Sequence, residues 1–420
     1  MTQTVSKTLR MSMVGIGVGG AEILPAMEST PGIELYAGAD INPITRQRFQ
    51  ERYPEAKVYD SIESLCADPE VDAVWVSTPN RFHAPHTIYA LEHGKHVVVE
   101  KPMALSLTDT DAMNNAAAKN GKLLMAGHTQ SYSLPIRAMR KIVSSGKIGK
   151  LYNMQALAYT DWMLRPRSDE ELDPNQGGGV PWRQTPHQVD SVRLIGGGLV
   201  RTVRGMTGTW GGWRPIPGFY SAFMEFEDGT ACHVVHNGYG YFLTSELIGG
   251  SGSGSRYTPE GRGEIRKAMK AGTRDEEGDK QAMRIGGEAN ARTFGIPTER
   301  RPWNTGDLGL VIVNTEHGAL RHSPYGVYVY DDDGQHDVDL TEGPATGGVA
   351  GRRGELEEFH ETIVSGTPLF HDGRWGAATL EVALAIMQSA REHKDITVSH
   401  QVAVPDWYDK DLDVPYLNGK

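Results

Sequence analysis

His96-Val97-Val98-Val99-Glu100-Lys101-Pro102 reads as a strand buried on both faces, followed at once by its own terminator. Three consecutive β-branched valines suit a parallel strand covered on both sides. Pro102 has no N–H to offer a ladder, so the strand stops there. Lys101 is thereby delivered at the carboxyl end of a sheet, where open α/β sheets bind ligands. A solvated strand end is the plain alternative, and the surrounding chain decides between the two.

Upstream, Met11–Ile16 reads as a strand running into Gly15-Ile16-Gly17-Val18-Gly19-Gly20, which satisfies G-x-G-x-x-G. Gly15 permits the tight turn, Gly17 lets backbone approach a pyrophosphate, and Gly20 lets a helix pack close to the sheet. That helix is expected from about Ala21 to Ser29 with its N-terminus toward the phosphates, and Pro25 sits awkwardly in its second turn. A second strand, Ile33–Ala39, ends in Asp40, where the fingerprint places an acid for the adenosine ribose. Asp40 can accept both ribose hydroxyls and would repel a 2′-phosphate. No arginine adjoins it in sequence; Arg46 and Arg48 come later, on a helix Pro43–Arg52. Further βα units follow: strand Asp72–Ser77 leading into Thr78-Pro79-Asn80, helix His83–Glu92, strand His96–Glu100, a helix capped by Ser106 and Asp109, strand Lys122–Gly127 ending in His128, and helix Leu134–Ser145. Such alternation predicts a doubly wound parallel sheet.

The whole chain has 420 residues, enough for two or three domains, and a formal net charge of −11, which argues against binding nucleic acid or an acidic membrane. Its two cysteines, Cys66 and Cys232, are far apart, so no disulfide framework is needed and a reducing cytoplasm is the expected setting. No apolar run reaches transmembrane length.

On three features the sequence resembles the Gfo/Idh/MocA family of NAD(P)-dependent oxidoreductases: the glycine fingerprint Gly15–Gly20, Thr78-Pro79-Asn80 followed by His83, and Glu100-Lys101-Pro102. The resemblance implies a Rossmann domain (1–150), then a mostly antiparallel open-sheet domain (151–350) with an insertion at 246–300. Helices and an aromatic tail (351–420) would pack back on the first domain or on a neighbour. It implies NAD as cofactor, held by Gly15, Gly17, Gly20, Asp40, Ser77, Thr78, Pro79, Asn80, His83, Glu100, Lys101 and His128, with Lys101 touching both the nicotinamide ribose and the substrate. No metal is called for.

From Leu151 the pattern becomes that of half-buried strands and hairpin turns. Strands are expected at about Leu151–Thr160, Arg201–Thr209, Tyr220–Phe226, Thr230–His236, Leu308–Asn314, Gly318–Ser323 and Tyr325–Asp331. An open sheet needs covering, so its outer face is an expected homo-oligomer interface, dimer or tetramer. The segment Gly177–Asp190 looks like the family's stretch in which a glycine run leads to an aspartate, a histidine four residues later, and a helix. His187 and Asp190 match; Arg183 stands where the aspartate is expected. That leaves Lys101 and His187 as the catalytic pair. Histidine has the natural pKa to take a hydroxyl proton, and lysine can orient and stabilise the alkoxide, although the reverse assignment stays open.

The expected substrate wall is Lys101, Trp162, Arg165, Arg167, Trp182, Arg183 and His187. Guanidinium groups suit carboxylates and indoles suit flat carbon skeletons. Within the family the chain is similar to members that oxidise a carboxylated cis-dihydrodiol, the expected small-molecule partner. A sugar or inositol dehydrogenase and an NAD-using glycosidase are the alternatives.

Overall fold

The structure is a computed structural model that describes residues 8–247, 257–287, 303, 306–340 and 348–419. Two compact units divide the chain.

The first unit comprises residues 1–129, 277–296 and 348–377. Its six strands are β1 (Leu9–Val14), β2 (Ile33–Ala39), β3 (Lys57–Tyr59), β4 (Ala73–Val76), β5 (His96–Glu100) and β6 (Leu124–Gly127). They pair in parallel in the order β3-β2-β1-β4-β5-β6. The order reverses between β1 and β4, the topological switch at which such sheets bind ligands. Val97, Val98 and Val99 of β5 and all of β4 are buried, as continuous apolar strands require. β3 has no counterpart in the expected strands. It is three residues of edge strand, none fully buried, and offers no apolar run to read. The helix expected over Ala21–Ser29 forms as two short pieces, Val18–Ala21 and Leu24–Ser29. Pro25 cannot donate to a preceding turn, so the helix restarts with the proline in its first turn, where no donor is missed.

The second unit comprises residues 130–276, 297–347 and 378–420. It holds β7 (Leu151–Tyr159), β8 (Val200–Gly208), β9 (Phe219–Phe226), β10 (Ala231–Asn237), β11 (Leu310–Thr315), β12 (Gly318–Ser323), β13 (Gly326–Asp331), β14 (Gly334–Asp339) and β15 (Ile396–Thr397). Their order is β14-β13-β12-β11-β7-β10-β9-β8-β15. The pairs are antiparallel except β7 with β10. Alternate residues of one face, including Met154, Ala156, Met224, Cys232, Val234 and Val311, are buried in this unit's core. The other face leaves Met206 and Phe223 open to solvent. β14 and β15 escaped the sequence reading because β14 buries only Val338 and β15 is two residues long.

The tail lies along this second unit: the Tyr416 hydroxyl donates to Asp331 at 2.6 Å, and Lys141 Nζ to the Asp409 carbonyl at 2.9 Å. Of the insertion, helices Pro259–Ala271 and Glu276–Ala282 are formed, and Thr258 caps the first. The Gly249–Ser255 run lies outside the described residues. Both cysteines are free and buried. Among the described residues no helix is long and apolar enough to cross a membrane.

Candidate active site

In the first unit the strand ends gather the expected cofactor residues. Gly15 follows β1 with φ +87°, and a Cβ there would stand 2.6 Å from the Ser77 carbonyl oxygen, so the turn closes onto the end of β4 only as glycine. A Cβ on Gly17 would meet nothing within 4 Å. The backbone is thus open on the side where a pyrophosphate would lie. Asp40, after β2, accepts the Ile16 N–H at 2.9 Å through one oxygen and the Asn42 N–H at 2.8 Å through the other. Arg46 folds back from its helix and donates to the Asp40 and Ile41 carbonyls at 2.8 and 3.0 Å. An arginine therefore does come beside Asp40, although none is adjacent in sequence.

His83 is buried, and its ring reaches the Pro102 carbonyl at 2.7 Å and the Thr78 carbonyl at 2.8 Å. One side chain therefore ties the Thr78-Pro79-Asn80 turn after β4 to the turn after β5 that carries Lys101. Asn80 is buried in the turn after β4, His128 is buried just after β6, and Lys101 is half-buried. Glu100 faces Arg352 at 3.4 Å, and the same guanidinium reaches Glu22 at 3.2 Å. Glu100 thus has a charged partner within the chain, to which no sequence motif pointed. The glycine cradle, the ribose-side carboxylate and the ordered turns after β4 and β5 fit a dinucleotide.

In the second unit the helix Val180–Ile195 is buried at every position except Trp182, Arg183 and His187. Arg183 and His187 are one turn apart and share a face. Asp190 points into the protein, where Thr379 Oγ1 stands 3.5 Å from it.

The remaining arginines of the expected wall are engaged by carboxylates of the chain. Arg165 donates to Asp161 at 2.9 Å and to Asp307 at 3.0 Å. Arg167 donates to Glu171 at 2.9 Å and lies 3.7 Å over the ring of the buried Trp162. Burial pushes Arg167 down to about 10; Glu171 opposes this, and the like charges of Arg165 and Arg183 add to it. Arg183 Nη1 is 3.9 Å from Glu171, and its Nε donates to the Gly177 carbonyl at 3.3 Å.

Asp307 is the residue the sequence reading missed. Burial alone would raise its carboxyl, but Arg165 first, then His187 and His236, hold it far below the usual range. His236 itself is pushed down to about 4 by burial, and its Nε2 lies 3.0 Å from Thr160 Oγ1.

Comparison with known proteins agrees with this geometry. Residues 9–128 match the oxidoreductase family with an NAD-binding Rossmann fold, and residues 136–253 match the GFO/IDH/MocA C-terminal domain. A 1-carboxy-3-chloro-3,4-dihydroxycyclohexa-1,5-diene dehydrogenase of Comamonas testosteroni is 31% identical over 91% of this chain and 95% of its own. A crystallised protein of Bordetella bronchiseptica RB50, named as a dehydrogenase, superposes with a TM-score of 0.82 at 31% identity, covering 93% of this chain and 100% of that one. A 1,5-anhydro-D-fructose reductase of Ensifer adhaerens is 38% identical, over 33% of this chain and only 42% of the reductase. The chain is an NAD-dependent oxidoreductase and belongs to the Gfo/Idh/MocA family.

Proposed function

We propose that the chain oxidises cis-4,5-dihydro-4,5-dihydroxyphthalate to 4,5-dihydroxyphthalate, in aromatic (phthalate) degradation. The observation that carries the reading is the open face of an otherwise buried helix, which offers a guanidinium, Arg183, one turn from an imidazole, His187. A carboxylated ring brings its own need for a cation near the reacting hydroxyl, since a carboxylate leaving water without one is costly. A relative named for a carboxylated dihydroxycyclohexadiene, matched along nearly its whole length, supports the same class.

NAD, when bound, supplies the acceptor for the hydride that leaves the carbinol carbon. His187 takes the hydroxyl proton. Lys101 donates to the developing alkoxide and orients it. The hydroxyketone so formed tautomerises to a catechol, and aromatisation draws the step forward. Trp182 offers a flat apolar surface for the ring. Two buried free thiols suit a reducing cytoplasm, and the outer sheet face with Met206 and Phe223 suits a second copy of the chain.

A sugar or cyclitol dehydrogenase is the second reading. It is favoured by the commitment of Arg165 and Arg167 to the chain's own carboxylates, which leaves fewer guanidinium groups for a dianion. The test supplies NAD with the phthalate dihydrodiol, with myo-inositol and with glucose, and follows NADH. NADH with 4,5-dihydroxyphthalate as product is expected. Turnover of a polyol with none of the dihydrodiol would overturn the reading. Hydrolysis of a glycoside without net NADH would point to the glycosidase alternative.

A further inference from the structure

The helix that carries His187 has an arginine where the family pattern calls for an aspartate, yet a carboxylate is present nearby, brought in from another part of the chain. Asp307 belongs to the turn that leads into β11. Its neighbour Leu308 is held on the helix: Gln188 Nε2 donates to the Leu308 carbonyl at 2.9 Å and to the Val235 carbonyl at 3.2 Å. The Gln188 side-chain oxygen, Oε1, in turn accepts from the Tyr220 hydroxyl at 2.7 Å. On the other side, Gly309 has φ +82°, and a Cβ there would lie 2.2 Å from the Leu157 carbonyl oxygen, so the turn presses on β7 as only glycine can. Arg165, bridging Asp161 and Asp307, sets the direction of the carboxylate. Residue 188 of the helix thus meets 308 of the turn, and their chain neighbours, His187 and Asp307, lie near enough for their charges to interact.

We propose that Asp307 is the positioning carboxylate of His187: it orients the imidazole and stabilises its protonated form, in place of the acid absent at position 183. The proposal rests on His187 being the base of the reaction above. The groups facing this carboxylate are Arg165 from the segment after β7, His187 from the helix and His236 from β10, and Arg183 is the further cation one turn from His187. Of these, His236 is kept neutral by burial near physiological pH. Arg165 stays charged, so Asp307 stays ionised while His187 titrates. A fixed negative charge beside an imidazole favours imidazolium, the form that the base takes in the transition state.

The test is Asp307→Asn, with Asp307→Glu as the conservative variant, and two readouts. The first is the titration of the His187 ring by NMR, which needs no turnover. The second is the acid limb of the kcat/KM profile. Asparagine should lower the His187 titration by about one pH unit or more and move the acid limb down with it, while kcat falls on the order of 10-fold or more. Glutamate should restore most of both. An unchanged His187 titration in a folded Asn variant would overturn the proposal. A lowered titration with an unmoved acid limb would keep Asp307 as the partner of His187 and remove His187 as the base. Should Asn not fold, Asp307→Ser, which also removes the charge, carries the same two readouts with the same expected and overturning results.

Discussion

The Asp40 carboxylate accepts the Ile16 N–H at 2.9 Å, joining the end of β2 to the glycine turn after β1. A second bond from Asn42 N–H, at 2.8 Å, holds the other oxygen. Each oxygen keeps a lone pair for a ribose hydroxyl, and the fixed negative charge opposes a 2′-phosphate. Arg46 lies beside the same backbone. NAD should therefore be preferred over NADP, and Asp40→Ser should narrow the ratio of kcat/KM values by on the order of 10-fold or more, because removing the acid exposes a phosphate to the neighbouring guanidinium. Comparable efficiencies with both cofactors in the wild type would contradict this.

Lys101→Ala and His187→Ala should each bind NAD nearly as tightly as the wild type while turnover falls by on the order of 10²-fold or more. Fluorescence titration with NADH and steady-state rates separate the two effects. The rate should rise from mildly acidic to neutral pH as the base loses its proton. A variant with near-native kcat would show that its residue has been given the wrong role.

His322 is buried in β12, and neither ring nitrogen has a hydrogen-bond partner among the described residues; its ring stacks on Trp303 at 3.8 Å. Burial pushes its pKa down to about 3 and that of His236 down to about 4. A histidine that stays neutral in the fold but takes a proton when unfolded contributes its full stability above the unfolded value of about 6.5, and this is lost as pH falls toward the folded value. Stability should thus decline between about pH 6.5 and pH 4. His322→Phe keeps the stack and removes one of the two protons taken up on unfolding. At pH 5 it should be more stable than the wild type by on the order of 2 kcal/mol, with a smaller difference at pH 8. Denaturant midpoints at the two pH values check this, and an equal shift at both would mean that the gain comes from packing alone.

The Rossmann half was legible because its signals are local: three valines before Glu100-Lys101-Pro102, and glycines at fixed offsets after a strand. β3 was not, since a short edge strand with Lys57 at its start carries no period to detect. In the second unit the alternating strands were legible, whereas β14 and β15 gain their place from pairing with β13 and β8 and not from apolar content. The candidate site divides in the same way. Arg183 and His187 share a helix face, so spacing alone suggests that they act together. Asp307 could not be found so, because the contact that fixes its turn to the helix, Gln188 with Leu308, spans 120 residues and depends on a glutamine of no special pattern. The partners of Arg165 and Arg167 were hidden for a related reason. Asp161 and Glu171 are four residues from their arginines, but only the fold shows that they, with Asp307, engage those charges before any ligand does.

Arg183 is the guanidinium whose place on the helix best suits an incoming carboxylate. It lies on the one open face, a turn before His187, and Glu171, 3.9 Å away, already accepts from Arg167 at 2.9 Å. A substrate carboxylate arriving there would gain a cationic partner, and two parallel N–H donors would fix its orientation beside the base. Arg183→Ala should therefore raise KM for the phthalate dihydrodiol far more than for an uncarboxylated cis-dihydrodiol, by on the order of 10-fold or more in the ratio, because only the former loses an ionic partner. Lysine at the same position should recover part of the loss, as it keeps the charge but not the fork. The two substrates are to be compared in the same buffer at low and high salt. The difference between them should shrink as salt rises, since a partly exposed ion pair is screened. Equal effects on both substrates, at either salt, would remove Arg183 from carboxylate recognition and leave it as a packing partner of Glu171.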